Sequence, residues 1–293
     1  MAGAAEAIAR EAQCKVSTID EVLADKTIDA VIICTPTNTH ADLIERFARA
    51  GKAIFCEKPV DLDAERVKAC LKVVNETKAK LMVGFNRRFD PHFMAVKKAI
   101  DAGKIGDVEM VTITSRDPGA PPVDYIKRSG GIFRDMTIHD FDMVRHFLGD
   151  IAEVNAVGTN ASSEIAKQGD FDQVIVTLKS RDGKLATIIN SRTCAFGYDQ
   201  RIEAFGAAGM LSADNLTETA VRKATSTQTE AKTAIMDFFL ERYEDAYRIE
   251  LETFLDSIAI GGAVSSSARD GYEALVLADA ATHSAKEHRV VAL

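Results

Sequence analysis

Three short apolar runs, each ended by polar residues and separated by helical patterns, constrain the first third of this chain more than any other feature. They lie in IDAVIICTPTNTH (residues 28–40), AIFCEKP (53–59) and AKLMVGFNRRF (79–89). A run with no polar alternation reads as a strand covered on both faces, as in a parallel sheet. Between the runs, HADLIERFARAGK places Leu43, Ile44, Phe47 and Ala48 on one helical stripe, with Gly51 as its stop. DAERVKACLKVVNETK reads as the next helix, and TIDEVLAD as an earlier one that Thr18 or Asp20 would cap. Residues 4–13 also look helical. Strand–helix–strand units of this length predict a doubly wound α/β domain of Rossmann type over residues 1–88.

Beyond residue 88 the texture changes. VEMVTITSRDP is rich in β-formers, and QVIVTLKSRDGKLATIINSR reads as two strands joined at Arg181-Asp-Gly183. YDQRIEAFGAAGMLSAD predicts a second hairpin, and DFFLERYEDAYRIELETFLDSI a long helix. Turns rather than helices between strands predict an α+β domain with a mostly antiparallel sheet over residues 89–293. A chain of 293 residues has room for both.

A net charge of -8 argues against nucleic acid or an anionic membrane as partner, since both select basic surfaces. No run of about 18 apolar residues suggests a membrane span. The first helix carries Glu6 and Glu11 and lacks the basic start and apolar core of a secretory signal. The five cysteines (14, 34, 56, 70 and 194) follow no ligand spacing. Cys34 and Cys56, inside strand-like runs, are expected to be small buried thiols, and a cytoplasmic location fits.

Open parallel sheets bind ligands beyond the C-terminal ends of their strands. Here those ends carry Cys34-Thr-Pro-Thr-Asn-Thr-His40, Glu57-Lys58-Pro59 and Asn86-Arg87-Arg88. Strand ends collect such residues anyway, but three on one edge favour a site. A further polar stripe comes from a helix expected over residues 135–148. Asp135, His139, Asp142 and His146 share one face, opposite Phe141, Val144 and Leu148. A solvated face is the plain alternative, with Asp135 complementing the helix dipole. A metal site lacks a further ligand of defined spacing, so none is expected. Lys58, Asp135 and His139 together suit acid–base work on an alcohol. The imidazole exchanges the proton, the carboxylate orients it, and the ammonium favours negative charge on the reacting oxygen.

With these motifs the chain resembles the glucose–fructose oxidoreductase/inositol dehydrogenase (Gfo/Idh/MocA) family of NAD(P)-dependent sugar and polyol dehydrogenases, and within it the bacterial inositol 2-dehydrogenases. DAVIICTPTNTHADL, GKAIFCEKPVDLD, VGFNRRFDPHF, SGGIFRDMTIHDFDM and FGYDQRIEAFG follow in the family's order across nearly the whole chain. The resemblance implies Lys58 as the catalytic lysine, His139 as general base and Asp135 as its partner. It implies cofactor contacts from Thr35, Pro36, Asn38, His40, Glu57 and Lys58, and a polyol pocket lined by Arg87, Asp117 and Tyr198. The segment RDPGAPPVDYIKRSGG would cover the substrate, with Gly130 and Gly131 permitting close approach. The implied reaction is oxidation of myo-inositol, or a stereochemical relative, to the inosose, with NAD as cofactor and NADP left open. A homo-oligomer, dimer or tetramer, is implied as well.

The family opens with a Gly-x-Gly-x-x-Gly turn that receives the pyrophosphate at a helix N-terminus. No such pattern occurs here. The expectation is therefore a truncated Rossmann domain that begins at the helix after the second strand. It would bind dinucleotide poorly and expose an edge strand. An incomplete version of a normal enzyme, a shortened paralogue that binds or scaffolds a polyol, and a companion chain that supplies the missing half-sheet are the three readings of that departure.

Overall fold

The three apolar runs become the strands of one parallel sheet. A computed structural model describes residues 3–293. Helices α1 (Ala4–Glu11) and α2 (Ile19–Ala24) precede β1 (Ala30–Ile33), α3 (His40–Arg49), β2 (Ala53–Glu57), α4 (Ala64–Thr77) and β3 (Leu81–Gly84). The sheet order is β1-β2-β3 with both pairings parallel. Thr18 rather than Asp20 caps α2, in a reciprocal box with Glu21 that satisfies two otherwise orphaned amides. The predicted stripe of α3 is buried, and Gly51 follows that helix with φ 74°. The outer edge of β3 is covered: the Val83 amide donates to the Ser266 carbonyl at 2.9 Å. Among the described residues β1 pairs only with β2, and its Ile32 is 54% exposed, so one edge of this sheet stands open. β1 ends at Ile33, which leaves Cys34 exposed rather than buried as expected, whereas Cys56 is buried.

The second sheet has seven strands. After α5 (Pro91–Asp101) come β4 (Val108–Arg116), α6 (Val123–Ser129), α7 (Ile132–Asp135), α8 (Thr137–Leu148), β5 (Ile151–Thr159) and α9 (Ser163–Ala166). The hairpins β6 (Gln173–Ser180)–β7 (Leu185–Ser191) and β8 (Asp199–Gly206)–β9 (Gly209–Ala213) form where their turn residues predicted them. A short ribbon, β10 (Arg222–Lys223) and β11 (Ala231–Lys232), leads to α10 (Phe239–Arg242), α11 (Glu244–Ala259), α12 (Ala268–Glu287) and β12 (Val291–Ala292). The order is β12-β5-β6-β7-β4-β8-β9, and only the central β4–β7 pairing is parallel.

Inward residues such as Val111, Ile113, Val154, Val176, Ile188 and Ile202 build the larger core with α8 and α12. The core of the first sheet also takes Ile138, Ala268, Ala274 and Leu275. A cut at residue 88 therefore separates the two sheets but not their cores.

Two expected helices are broken. The one expected from Asp135 to Leu148 divides at Met136 into α7 and α8, and the late one divides at Tyr243 into α10 and α11. The expected loop over residues 116–131 contains α6. Nor is α8 solvated on its polar side. Asp142 is 1% exposed and accepts two bonds from Arg88, at 2.7 and 2.6 Å. Burial, aided by Arg88 and Lys97, pushes His146 down to about 4. The helix lies between the two sheets, so even its carboxylates need buried partners.

Candidate active site

The C-terminal end of β2 delivers Glu57 and Lys58 to the junction of the two sheets. The Lys58 ammonium donates to the backbone carbonyl of Asp135 at 2.7 Å and stands 4.0 Å from the nearer Asp135 carboxylate oxygen. Lys58 thus ties the first sheet to the end of α7. His139 lies half-buried in the first turn of α8, edge-on to Phe85 at 6.2 Å between ring centroids. Its Nδ1 is buried without a partner. Loss of solvent, then the positive charges of Lys58 and Arg87, hold its pKa well below the ordinary value of 6.5. The ring is therefore neutral at pH 7, which is the form that accepts a proton. The lysine and the imidazole expected to work together are within each other's field.

Asp135 does not orient that imidazole here, contrary to expectation. Its Oδ1 accepts from the Tyr125 hydroxyl at 2.9 Å and its Oδ2 from Arg192 Nη1 at 3.0 Å. The break at Met136 removes the single helical turn that would have set the carboxylate beside the ring.

Arg87 is 4% exposed in the turn after β3 and is bound to Asp140, with Ser115 Oγ at 2.9 Å. It stands behind the site, where its charge is felt but its guanidinium is already engaged. Asp117, just past β4, is raised to about 6 by burial; Arg87 and Arg192 pull it back, and Asp135 and Asp140 push it further. Tyr198, 7% exposed, packs edge-on against Tyr243 at 5.9 Å, and burial raises its phenol well above 10. Arg87 and Asp117 both act on it, so the three residues assigned to a polyol pocket are gathered in one place.

Of the cofactor residues, Thr35, Pro36 and Asn38 are exposed on the turn after β1, where the Thr35 and Thr39 hydroxyls lie 2.6 Å apart. His40 is different. It is 1% exposed, and its ring nitrogens face the carbonyls of Pro59 at 2.8 Å and Thr35 at 2.7 Å. Both nitrogens are taken, so His40 braces the two strand-end loops rather than reaching a ligand. Burial raises the Glu57 carboxyl, and neighbouring Lys58 lowers it in part.

Arg192, Tyr125 and Asp170, all close to Asp135, were missed. Nothing in NSRTC or VDYIK distinguishes them; only their position at the end of β7 and in the covering segment hinted at a site. The hollows of about 250 Å³ beside Arg145 and Tyr272, and about 320 Å³ beside His92 and Leu211, touch none of the site residues. Among the described residues no group of His, Cys, Asp and Glu could hold a metal ion. No helix there is long and apolar enough to cross a membrane.

The chain is 60% identical over 293 residues to a Rhizobium meliloti protein named inositol 2-dehydrogenase, covering 99% of this chain and 88% of that one. The crystal structure of a myo-inositol dehydrogenase from Corynebacterium glutamicum superposes with a TM-score of 0.95 at 49% identity, over 99% of this chain and 89% of that one. A scyllo-inositol dehydrogenase from Lactobacillus casei, with NAD(H) and scyllo-inositol bound, gives 0.89 at 30% identity, covering 97% and 86%. The family model described as an oxidoreductase NAD-binding Rossmann fold matches residues 1–85, and the C-terminal alpha/beta domain of the same family matches residues 97–293. A recognisable NAD-binding domain leaves the expected weakness of dinucleotide binding without support. From the order of its two domains to the residues gathered at their junction, this chain belongs to the Gfo/Idh/MocA oxidoreductase family.

Proposed function

We propose that this chain oxidises a cyclic polyol, myo-inositol to 2-keto-myo-inositol, with NAD as the hydride acceptor. The observation that carries the reading is that Lys58, at the end of β2, donates to the carbonyl of Asp135, four residues before His139, whose neutral ring feels the charge of the lysine. The names of the similar proteins supply the polyol and the choice of NAD as cofactor. An ammonium has three donors, and one is used on the Asp135 carbonyl, so two remain for the nicotinamide ribose and the substrate hydroxyl. That fits the nicotinamide half of the cofactor, while the glycine turn for the pyrophosphate is not found in these residues. A bound NAD would supply the acceptor for the hydride of the alcohol carbon. His139 takes the hydroxyl proton, and Lys58 steadies the charge that builds on that oxygen. Asp117 and Tyr198 would hold the remaining hydroxyls.

The test is growth of the reduced-nicotinamide absorbance band on mixing protein, NAD and a panel of inositols and hexoses. No growth with any of them, with NAD or NADP, would sink the reading. Because Asp117 ionises near pH 6, the KM for the polyol is expected to rise about tenfold from pH 7 to pH 5 as its charge is lost. Asp117→Asn should flatten that dependence.

The reading includes a homo-oligomer. Leu185, Met110, Phe205 and Met210 are exposed neighbours in register across β7, β4, β8 and β9. Val157 and Ile175 form a second exposed row with half-buried Ile189. An apolar patch this continuous is rarely left in water. Sedimentation equilibrium should report a dimer or larger, and Met110→Asp should shift it toward monomer. A wild-type chain that sediments as a monomer at micromolar concentration would overturn it.

A further inference from the structure

Arg192 leaves the end of β7 almost wholly buried, at 1% exposure. Its Nη1 donates to Asp135 Oδ2 at 3.0 Å, its Nη2 points at Asp170 Oδ2 at 3.5 Å, and its Nε is buried without a partner. Two carboxylates alone therefore hold the head group. Asp170 is itself fixed. Its Oδ1 accepts the amide of Ile132, the first residue of α7, at 2.9 Å. Gly131 has φ 87°, and a Cβ there would come within 2.9 Å of that same oxygen. Asp170 thus grips the start of α7 directly and its end through Arg192. The last residue of α7 offers its carbonyl to Lys58.

We propose that Arg192 is a positioning residue for Lys58: by clamping the Asp135 carboxylate to Asp170, it keeps that carboxylate from capturing the lysine ammonium. The two charges stand 4.0 Å apart with little solvent between them, and a direct charge-assisted contact would be the ordinary outcome. Arg192 offers the carboxylate a competing charged donor, its Nη1 on Oδ2, while the Tyr125 hydroxyl takes Oδ1, the oxygen nearer Lys58. Lys58 is left on the carbonyl with donors to spare. The proposal rests on the reading of Lys58 as the group that meets the reacting oxygen.

The experiment compares Arg192→Met, Arg192→Lys and Asp170→Asn with the wild-type chain. Arg192→Met should fold with a near-native circular dichroism spectrum and lose about a hundredfold in kcat, the usual cost of a misplaced catalytic group, with the KM for NAD unchanged. Arg192→Lys, which keeps the charge but reaches one carboxylate, should lose about tenfold. The acid limb of the pH profile should move upward in Arg192→Met. Asp117 then loses one of the two cations facing it, Arg87 remaining, beside the anions Asp135 and Asp140. Crystal structures should show the Lys58 ammonium in direct contact with the Asp135 carboxylate in Arg192→Met, and a shortened separation in Asp170→Asn. An unmoved Lys58–Asp135 pair would overturn the proposal, as would equal losses in all three variants that track a lower Tm. If Arg192→Met fails to fold, the Lys58–Asp135 separation in crystals of Asp170→Asn decides the question in its place. That separation is read without turnover, so it stands apart from the polyol assay that tests the function itself.

Discussion

Lys58→Ala should turn over about a thousandfold more slowly than the wild-type enzyme while remaining folded. In the proposed reaction the ammonium meets both the cofactor ribose and the reacting oxygen, and water that fills the gap cannot carry its fixed charge. Folding should survive. The side chain is partly exposed, and its recorded hydrogen bond goes to a single backbone carbonyl, that of Asp135. Losing one such bond costs about 1 kcal/mol, so a thermal melt should move by only a few degrees. His139→Ala should fall with it, because the proposed mechanism takes the neutral imidazole as the proton acceptor. Steady-state kinetics with saturating NAD decide the matter. A kcat within tenfold of wild type for Lys58→Ala, or an unchanged rate for His139→Ala, would remove the mechanism.

Asp140→Ala should lose about 3–5 kcal/mol of stability, as expected when one member of a buried ion pair is removed. Asp140 is 0% exposed. It accepts from Arg87, from the Ser115 hydroxyl at 2.8 Å and from Asn190 Nδ2 at 2.8 Å. Alanine would strand a guanidinium that is itself 4% exposed, along with two neutral donors. The stranded charge, rather than the lost contact, dominates the cost. The double variant Arg87→Met with Asp140→Leu should therefore be less destabilised than Asp140→Ala alone. Urea unfolding of the set measures this; a loss under about 1 kcal/mol for Asp140→Ala would place the pair with exposed bridges such as Lys72–Glu76.

Much of the fold was legible because its signals are local. The apolar runs at Ala30, Ala53 and Leu81 needed no distant partner to read as buried strands. The Arg181-Asp-Gly183 turn carries its own backbone preference, with Gly183 at φ 83°. The breaks at Met136 and Tyr243 were not legible. The residues around them all tolerate a helix, and packing between two sheets overrides so weak a preference. At the site, Lys58 could be placed at a strand end from sequence because a strand end is a local fact. Arg87 and His40 were placed there for the same reason and proved to face inward, toward Asp140 and toward two carbonyls.

By itself the sequence determined the parallel order of the first strands, the hairpins of the second sheet, and the placing of an amine at the end of a strand. Only the tertiary structure decided what each charge is paired with: Asp135 with Arg192 and Tyr125, Asp140 with Arg87, Asp142 with Arg88. The physical reason is that periodicity and turn preference act over a few residues. A buried charge instead takes the partner that the folded chain brings within about 3 Å, and here those partners come from up to 57 positions away.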